Sequence, residues 1–261
     1  MSAESSALPL EGNENTMQAD ETLLRLEAVK KRFGGLVVLN NIDIAVGANE
    51  LIGLIGPNGA GKSTLFNVIT AIYAPTEGRV SFRGKDITGI APHRISRLGI
   101  ARTFQLVRTF LTMTAFENVM VGAVYGAGGR VKHATEAATA ALELVGLSAR
   151  RDMRTAHMTL SDRRMLEIAR AVASDPALLL LDEPMAGLNP TEIQRMVDVI
   201  RRVRADRGIS MLWVEHKVDA IMKVCSRVIV LDHGEKIADG TPRDVTQNRK
   251  VIEAYLGEPA A

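Results

Sequence analysis

Cysteine is almost missing from this chain of 261 residues, aromatic side chains make up only 4% of it, and neither sign of charge dominates. A single Cys225 cannot close an internal disulfide, and its apolar segment reads as a core thiol. A net charge of +2 leaves no basic footprint, which argues against a nucleic-acid partner. No apolar run approaches the ~18 to 20 residues needed to cross a bilayer. The first twenty residues lack the basic start and apolar centre of a secretion signal, so the chain is expected to work in the cytoplasm, free to dock on a membrane protein. Those residues are polar and acidic without periodicity, and 1–20 are expected to form a disordered tail before a domain over 21–261.

What is present is a phosphate-binding loop. Gly56-Pro57-Asn58-Gly59-Ala60-Gly61-Lys62-Ser63-Thr64 has both glycines and the Lys-Ser pair at the required spacing. Leu51 to Ile55 is a short apolar run suited to a buried strand, and Ser63 to Ala71 has helical spacing, so a strand runs into the loop and a helix leaves it. Such a loop wraps backbone N–H groups around phosphates, with the positive end of the helix adding to the attraction. Lys62 would reach the β and γ phosphates and Ser63 would ligate Mg²⁺. The expected ligand is a nucleoside triphosphate.

Two alternating stretches, Leu24 to Val29 and Val37 to Ile44, predict antiparallel strands joined through Phe33-Gly34-Gly35. Arg79 to Gly84 and Asp86-Ile87 extend that antiparallel edge. Between Gln105 and Asp175 the pattern becomes helical, clearest over Ala134 to Val145 and Asp162 to Ser174, broken at Gly126 to Gly129. This predicts a helical subdomain inserted at about 106–175. After Pro176, strands and helices alternate through Asp232, which implies a parallel sheet with crossover helices.

Leu178-Leu179-Leu180-Leu181-Asp182-Glu183 is an apolar strand ending in two carboxylates, placed by parallel topology at the same sheet edge as the phosphate loop. Asp182 would hold Mg²⁺ with Ser63, and Glu183 would polarise the attacking water.

With both halves in order, the chain resembles the ATP-binding subunit of an ABC transporter over roughly residues 22–258: an α/β P-loop ATPase core with an antiparallel β edge and an inserted helical subdomain. The resemblance implies Mg²⁺-dependent ATP hydrolysis. Thr103-Phe104-Gln105 resembles the Q-loop, whose Gln reaches metal and water and whose following segment meets the membrane partner. His216, in Trp213-Val214-Glu215-His216, resembles the switch histidine at the γ phosphate. Ala186-Gly187-Leu188-Asn189 resembles the D-loop, with Asn189 in place of the usual Asp. Phe33 resembles the aromatic platform for adenine. Each residue alone has an ordinary structural explanation, and their joint order is what points to function.

The signature departs from the pattern. Counted back from Leu166-Glu167-Ile168-Ala169-Arg170-Ala171, Leu-Ser-Gly-Gly-Gln falls on Met158-Thr159-Leu160-Ser161-Asp162, while a gapped alignment starts it at Leu160-Ser161. Neither register has the glycine pair. Asp162 is expected to repel a phosphate held by a partner subunit, with Arg163 or Arg164 as compensating charges, Thr159 keeping a hydroxyl and Ser161 a candidate helix cap.

Further segments, among them Lys31 to Leu36, Ile100 to Gln105 and Val251 to Glu258, resemble the importers of branched-chain, hydrophobic amino acids. That implies a heterodimer with a second ATPase, two permease subunits, an extracytoplasmic solute-binding protein, and a peripheral position on the cytoplasmic face of the inner membrane. In such a pair the intact loop and carboxylates would carry most of the hydrolysis. The rival assignments are a lipopolysaccharide-export ATPase and a soluble ATPase of iron–sulfur assembly.

Overall fold

Alternation along the apolar strands decides how the layers assemble. A computed structural model describes residues 22–126 and 131–256; the expected tail at 1–20, Ala127 to Gly129 of the glycine break and the last two residues of the Val251 to Glu258 segment lie outside these. The strands are β1 (Thr22–Phe33), β2 (Leu36–Gly47), β3 (Leu51–Ile55), β4 (Glu77–Phe82), β5 (Lys85–Asp86), β6 (Ile100–Arg102), β7 (Leu178–Asp182), β8 (Ser210–Val214), β9 (Arg227–Asp232) and β10 (Glu235–Gly240). The helices are α1 (Lys62–Ile69), α2 (Pro92–Leu98), α3 (Ala115–Tyr125), α4 (Val131–Leu144), α5 (Leu160–Val172), α6 (Pro190–Arg207), α7 (Val218–Val224), α8 (Pro242–Gln247) and α9 (Arg249–Leu256).

One sheet runs β10-β9-β3-β8-β7-β6 and the other β2-β1-β4-β5. Every residue of β3, β7 and β8 is buried, because both faces of the larger sheet are covered. Leu178 and Leu180 join the core beneath the antiparallel sheet and α1, while Leu179 and Leu181 join the core beneath the helices. Met211 and Trp213 against Leu212 and Val214 repeat the split in β8. Fully burying each such side chain contributes roughly 1.5–3 kcal/mol, so truncating Leu180 to Ala would cost about 2–5 kcal/mol.

The parallel sheet has one departure: β10 is antiparallel to β9 and closes that edge. Strands β9, β3, β8, β7 and β6 are mutually parallel, so β3, β8, β7 and β6 deliver their C-terminal ends to one rim in the order of the sheet. The predicted antiparallel hairpin forms between β1 and β2, and α3, α4 and α5 lie between β6 and β7 in the chain.

Candidate nucleotide site

Four neighbouring strand ends place the site. The phosphate loop follows β3, Glu215 and His216 follow β8, Asp182 and Glu183 close β7, and Thr103 to Gln105 follow β6. Together they surround a cavity of about 280 Å³ lined by Val38, Asn58 to Thr64, Gln105, Glu183 and His216. The loop at Asn58 to Thr64, Gln105, Glu183 and His216 are far apart in the chain and meet because their strands are parallel neighbours.

Loop geometry depends on glycine at two points. Gly61 caps α1 with φ 100°, and a Cβ there would lie 2.8 Å from Leu39 Cδ2 and 2.9 Å from the Val38 carbonyl. Gly56 has φ 151°, and its Cβ would fall 2.1 Å from the Leu231 carbonyl. Any side chain would force loop and sheet apart. The first N–H groups of α1 have no acceptor inside the helix and are available to an anion. Buried Lys62 donates through Nζ to the Gly56 carbonyl at 2.7 Å and the Pro57 carbonyl at 2.9 Å. Burial pulls its ammonium below the usual lysine range, and the charges of Glu183 and Asp182 pull it back up.

Glu183 is held from both sides. Gln105 Nε2 donates to Glu183 Oε2 at 3.0 Å, and His216 Nε2 lies 2.9 Å from Glu183 Oε1. The backbone at Glu183 is left-handed, with φ 48°, a conformation a non-glycine residue adopts only where its surroundings impose it. Asp182 is 3% exposed and pairs with Arg102, whose guanidinium donates to Asp182 Oδ2 at 2.7 Å and to Asn67 Oδ1 of α1 at 2.7 Å. Asp182 Oδ1 is buried without a partner among the described residues. An orphaned carboxylate oxygen fits a hard divalent cation, and no cluster of three or more acidic, His or Cys side chains is needed, because Mg²⁺ takes most of its remaining ligands from phosphate and water. Among the described residues no such cluster occurs.

The remaining expectations fall differently. Phe33 sits on the β1–β2 hairpin outside the cavity lining, 41% exposed, its ring edge-on to Tyr73 at 5.1 Å. Asn189 caps α6, accepting from the Glu192 N–H at 3.0 Å while Glu192 Oε2 accepts from the Asn189 N–H. The Asn therefore serves its own helix.

At the signature, Thr159 rather than Ser161 is the cap of α5, accepting from the Asp162 N–H at 3.2 Å. Asp162 does not face outward: its side chain is 2% exposed, accepts from Thr159 Oγ1 at 2.8 Å, and pairs with Arg150 and Arg195. The expected compensation by Arg163 or Arg164 does not occur, since Arg163 donates to the Thr155 and Ala156 carbonyls and Arg164 to the Phe104 carbonyl. The carboxylate expected to repel phosphate is buried and ion-paired with Arg150 and Arg195. The glycine pair remains replaced by Leu160 and Ser161, and Ser161 Oγ is buried without a partner among the described residues.

Arg102 and Glu215 are site residues that sequence reasoning left without a role. Each stands beside a motif residue, but only the contacts across strands reveal what it holds.

A phosphate loop, two carboxylates and a strand-end histidine at one rim of a parallel sheet define a P-loop nucleotide hydrolase. A sequence profile described as ABC transporter matches residues 39–186, and one described as branched-chain amino acid ATP-binding cassette transporter matches residues 235–261. The chain belongs to the ABC transporter family as an ATP-binding, ATP-hydrolysing subunit. It is 37% identical over 252 residues to the high-affinity branched-chain amino acid transport ATP-binding protein LivG of Salmonella typhimurium, covering 91% of this chain and 99% of that protein. BraF of Pseudomonas aeruginosa, named for the same transport, is 37% identical over 250 residues, with 90% and 98% covered. Among solved structures, the ADP conformation of MJ1267, an ATP-binding cassette of an ABC transporter, is similar with a TM-score of 0.81 and 32% identity, covering 91% of this chain and 99% of that one. Neither the lipopolysaccharide-export nor the iron–sulfur assignment is favoured by these relatives.

Proposed function

We propose that this chain is the ATPase that drives an importer of branched-chain or other hydrophobic amino acids. The observation that supports the chemistry best is the triad of Gln105, Glu183 and His216 gathered opposite the phosphate loop in one cavity. Glu183, held by two neighbours, is the group that orients and polarises water toward the γ phosphate. His216 donates from Nε2 to the Glu183 carboxylate, which can only accept, and Lys62 exchanges its two carbonyl partners for phosphate oxygens. Mg²⁺, when bound, supplies neutralisation of phosphate charge, and Ser63, Gln105 and Asp182 are the residues that would hold it. Phe33 is the proposed adenine platform.

The solute assignment rests on the named transport of LivG and BraF and on the match at 235–261. Partners follow from the same reading: a second cassette subunit meeting the start of α5, where Thr159, Ser161 and Asp162 stand, two permeases, and an extracytoplasmic binding protein acting through them. Among the described residues no helix is long and apolar enough to cross a membrane, which fits a peripheral subunit on the cytoplasmic face. A groove of about 340 Å³ beside the Q-loop, lined by Ile72, Ile95, Phe104, Val121 and Tyr125, with Leu106 nearby 76% exposed, suits a permease segment.

Reconstituting the chain with the permeases and second cassette from its own locus, then following labelled leucine uptake and ATP hydrolysis, tests the reading. ATP-dependent uptake of leucine is expected. Hydrolysis that no hydrophobic amino acid and binding protein stimulate would contradict it.

A further inference from the structure

Glu215 is a buried acid, and both of its oxygens accept from backbone N–H groups. It follows the last residue of β8 and is 3% exposed. Oε1 accepts from the Met185 N–H at 2.8 Å, and Oε2 from the His216 N–H at 3.1 Å. Burial pushes its carboxyl above the usual range; the N–H groups of Met185, Lys217 and His216 oppose that, and the charge of Glu183 adds to it. A second acid kept this close to Glu183 against burial and repulsion calls for a purpose beyond packing.

The chain around Glu183 explains the placement. Glu183 itself is left-handed, at φ 48°. On its amino side the Glu183 N–H donates to the Val214 carbonyl at 3.0 Å. Pro184 has no N–H to offer, so Met185 carries the first donor after Glu183 that can anchor the turn. Glu215 takes that donor with one oxygen and fixes the backbone of His216 with the other. The two residues whose side chains meet at 2.9 Å are therefore referenced to one carboxylate.

We infer that Glu215 is a positioning residue that sets the Glu183–His216 contact by clamping the backbone after Glu183 and at His216. The role rests on the reading of Glu183 and His216 as the hydrolytic pair. Glu215→Gln keeps one acceptor and turns an NH₂ toward a backbone N–H; Glu215→Asp keeps the charge but falls one methylene short. Both are made in the full chain, and four quantities are read: kcat for ATP in the reconstituted complex, ATP affinity of the chain, thermal midpoint, and the ¹⁵N shifts of the His216 ring, assigned with His216→Gln.

Both variants are expected to lose roughly tenfold to a hundredfold in kcat, the scale of a misplacement of about an ångström, with ATP affinity within about twofold. The His216 shifts should move part of the way toward those of Glu183→Gln, where the partner carboxylate is gone. A purely structural role would lower the midpoint without that spectral change. The inference is overturned if kcat stays within about twofold, if affinity and kcat fall together with His216 unmoved, or if neither variant folds. Wild-type hydrolysis by Glu183→Gln would instead remove the hydrolytic reading, and the His216 shifts of the Glu215 variants would still decide the clamp.

Discussion

Acidic residues at the rim of the parallel sheet and at the start of α5 are treated in opposite ways. At the rim, Asp182 keeps one oxygen without a partner among the described residues, and Glu183 lines the cavity between Gln105 and His216. At α5, Asp162 is turned inward and its carboxylate is engaged by Thr159, Arg150 and Arg195. A carboxylate that lines the cavity or keeps an oxygen without a partner is available to chemistry, whereas one turned inward and held by two arginines is part of the frame. Sequence position alone does not distinguish them, since all three stand in or beside a motif.

The largest expected effect comes from breaking the rim. Lys62→Ala removes the charge proposed to meet the phosphates, and ATP affinity measured by calorimetry should fall by about two orders of magnitude or more. Next is Arg102→Met, which strands Asp182 as a buried acid without its counter-charge. The pair is nearly enclosed, at 9% and 4% side-chain exposure, so urea unfolding without nucleotide should show a loss of about 3–5 kcal/mol. In an Asp182→Asn background the same change should cost much less, because no buried charge remains to be orphaned. A similar loss in both backgrounds would mean that Arg102 acts through its contacts with Asn67 and the Phe66 and Phe104 rings.

Asp162→Ala sharpens the other side of the comparison. Arg150 and Arg195 are themselves about half exposed, so their pairing is screened, and the expected cost is about 1–2 kcal/mol from lost hydrogen bonds at the helix start. ATP hydrolysis by the complex should stay within about threefold. A gain of more than tenfold would show that the carboxylate does repel phosphate after all.

Cys225 gives the smallest effect. Burial pushes its thiol from 9.0 up to about 12, so the folded chain holds the proton longer than the unfolded one. The resulting stability is complete below pH 9 and declines between there and about 12. At about pH 9.5 wild type should have lost about 0.8 kcal/mol relative to Cys225→Ala, each referred to its own value at about pH 7.5. Alkylation of the native protein at neutral pH should be slow.

Local patterns were legible, and cross-strand partners were not. The phosphate loop could be read because its chemistry requires fixed spacing within nine residues, and the five-residue β7 because both of its faces are buried. Strand β10 escaped because Glu235 and Lys236 give an edge strand a charged, weakly alternating pattern. Glu215 and Arg102 were invisible as site residues for another reason. Their roles depend on the register that sets β8 beside β7, with Asp182 opposite Val214, and β6 beside β7, with Arg102 opposite Leu180. The burial of Asp162 likewise depends on Arg150 and Arg195, one in the 3₁₀ turn at Ser148–Arg150 after α4 and the other on α6, both far from where a helix-neighbour rule would look.

In the proposed complex this chain supplies the hydrolytic residues of one ATP site and a glycine-poor signature to the other. Steady-state ATPase of the reconstituted heterodimeric complex tests it directly, comparing Glu183→Gln with the equivalent change in the partner cassette. Glu183→Gln should remove most of the hydrolysis, on the order of a hundredfold, while the partner's change removes much less. Equal losses from the two changes would contradict it.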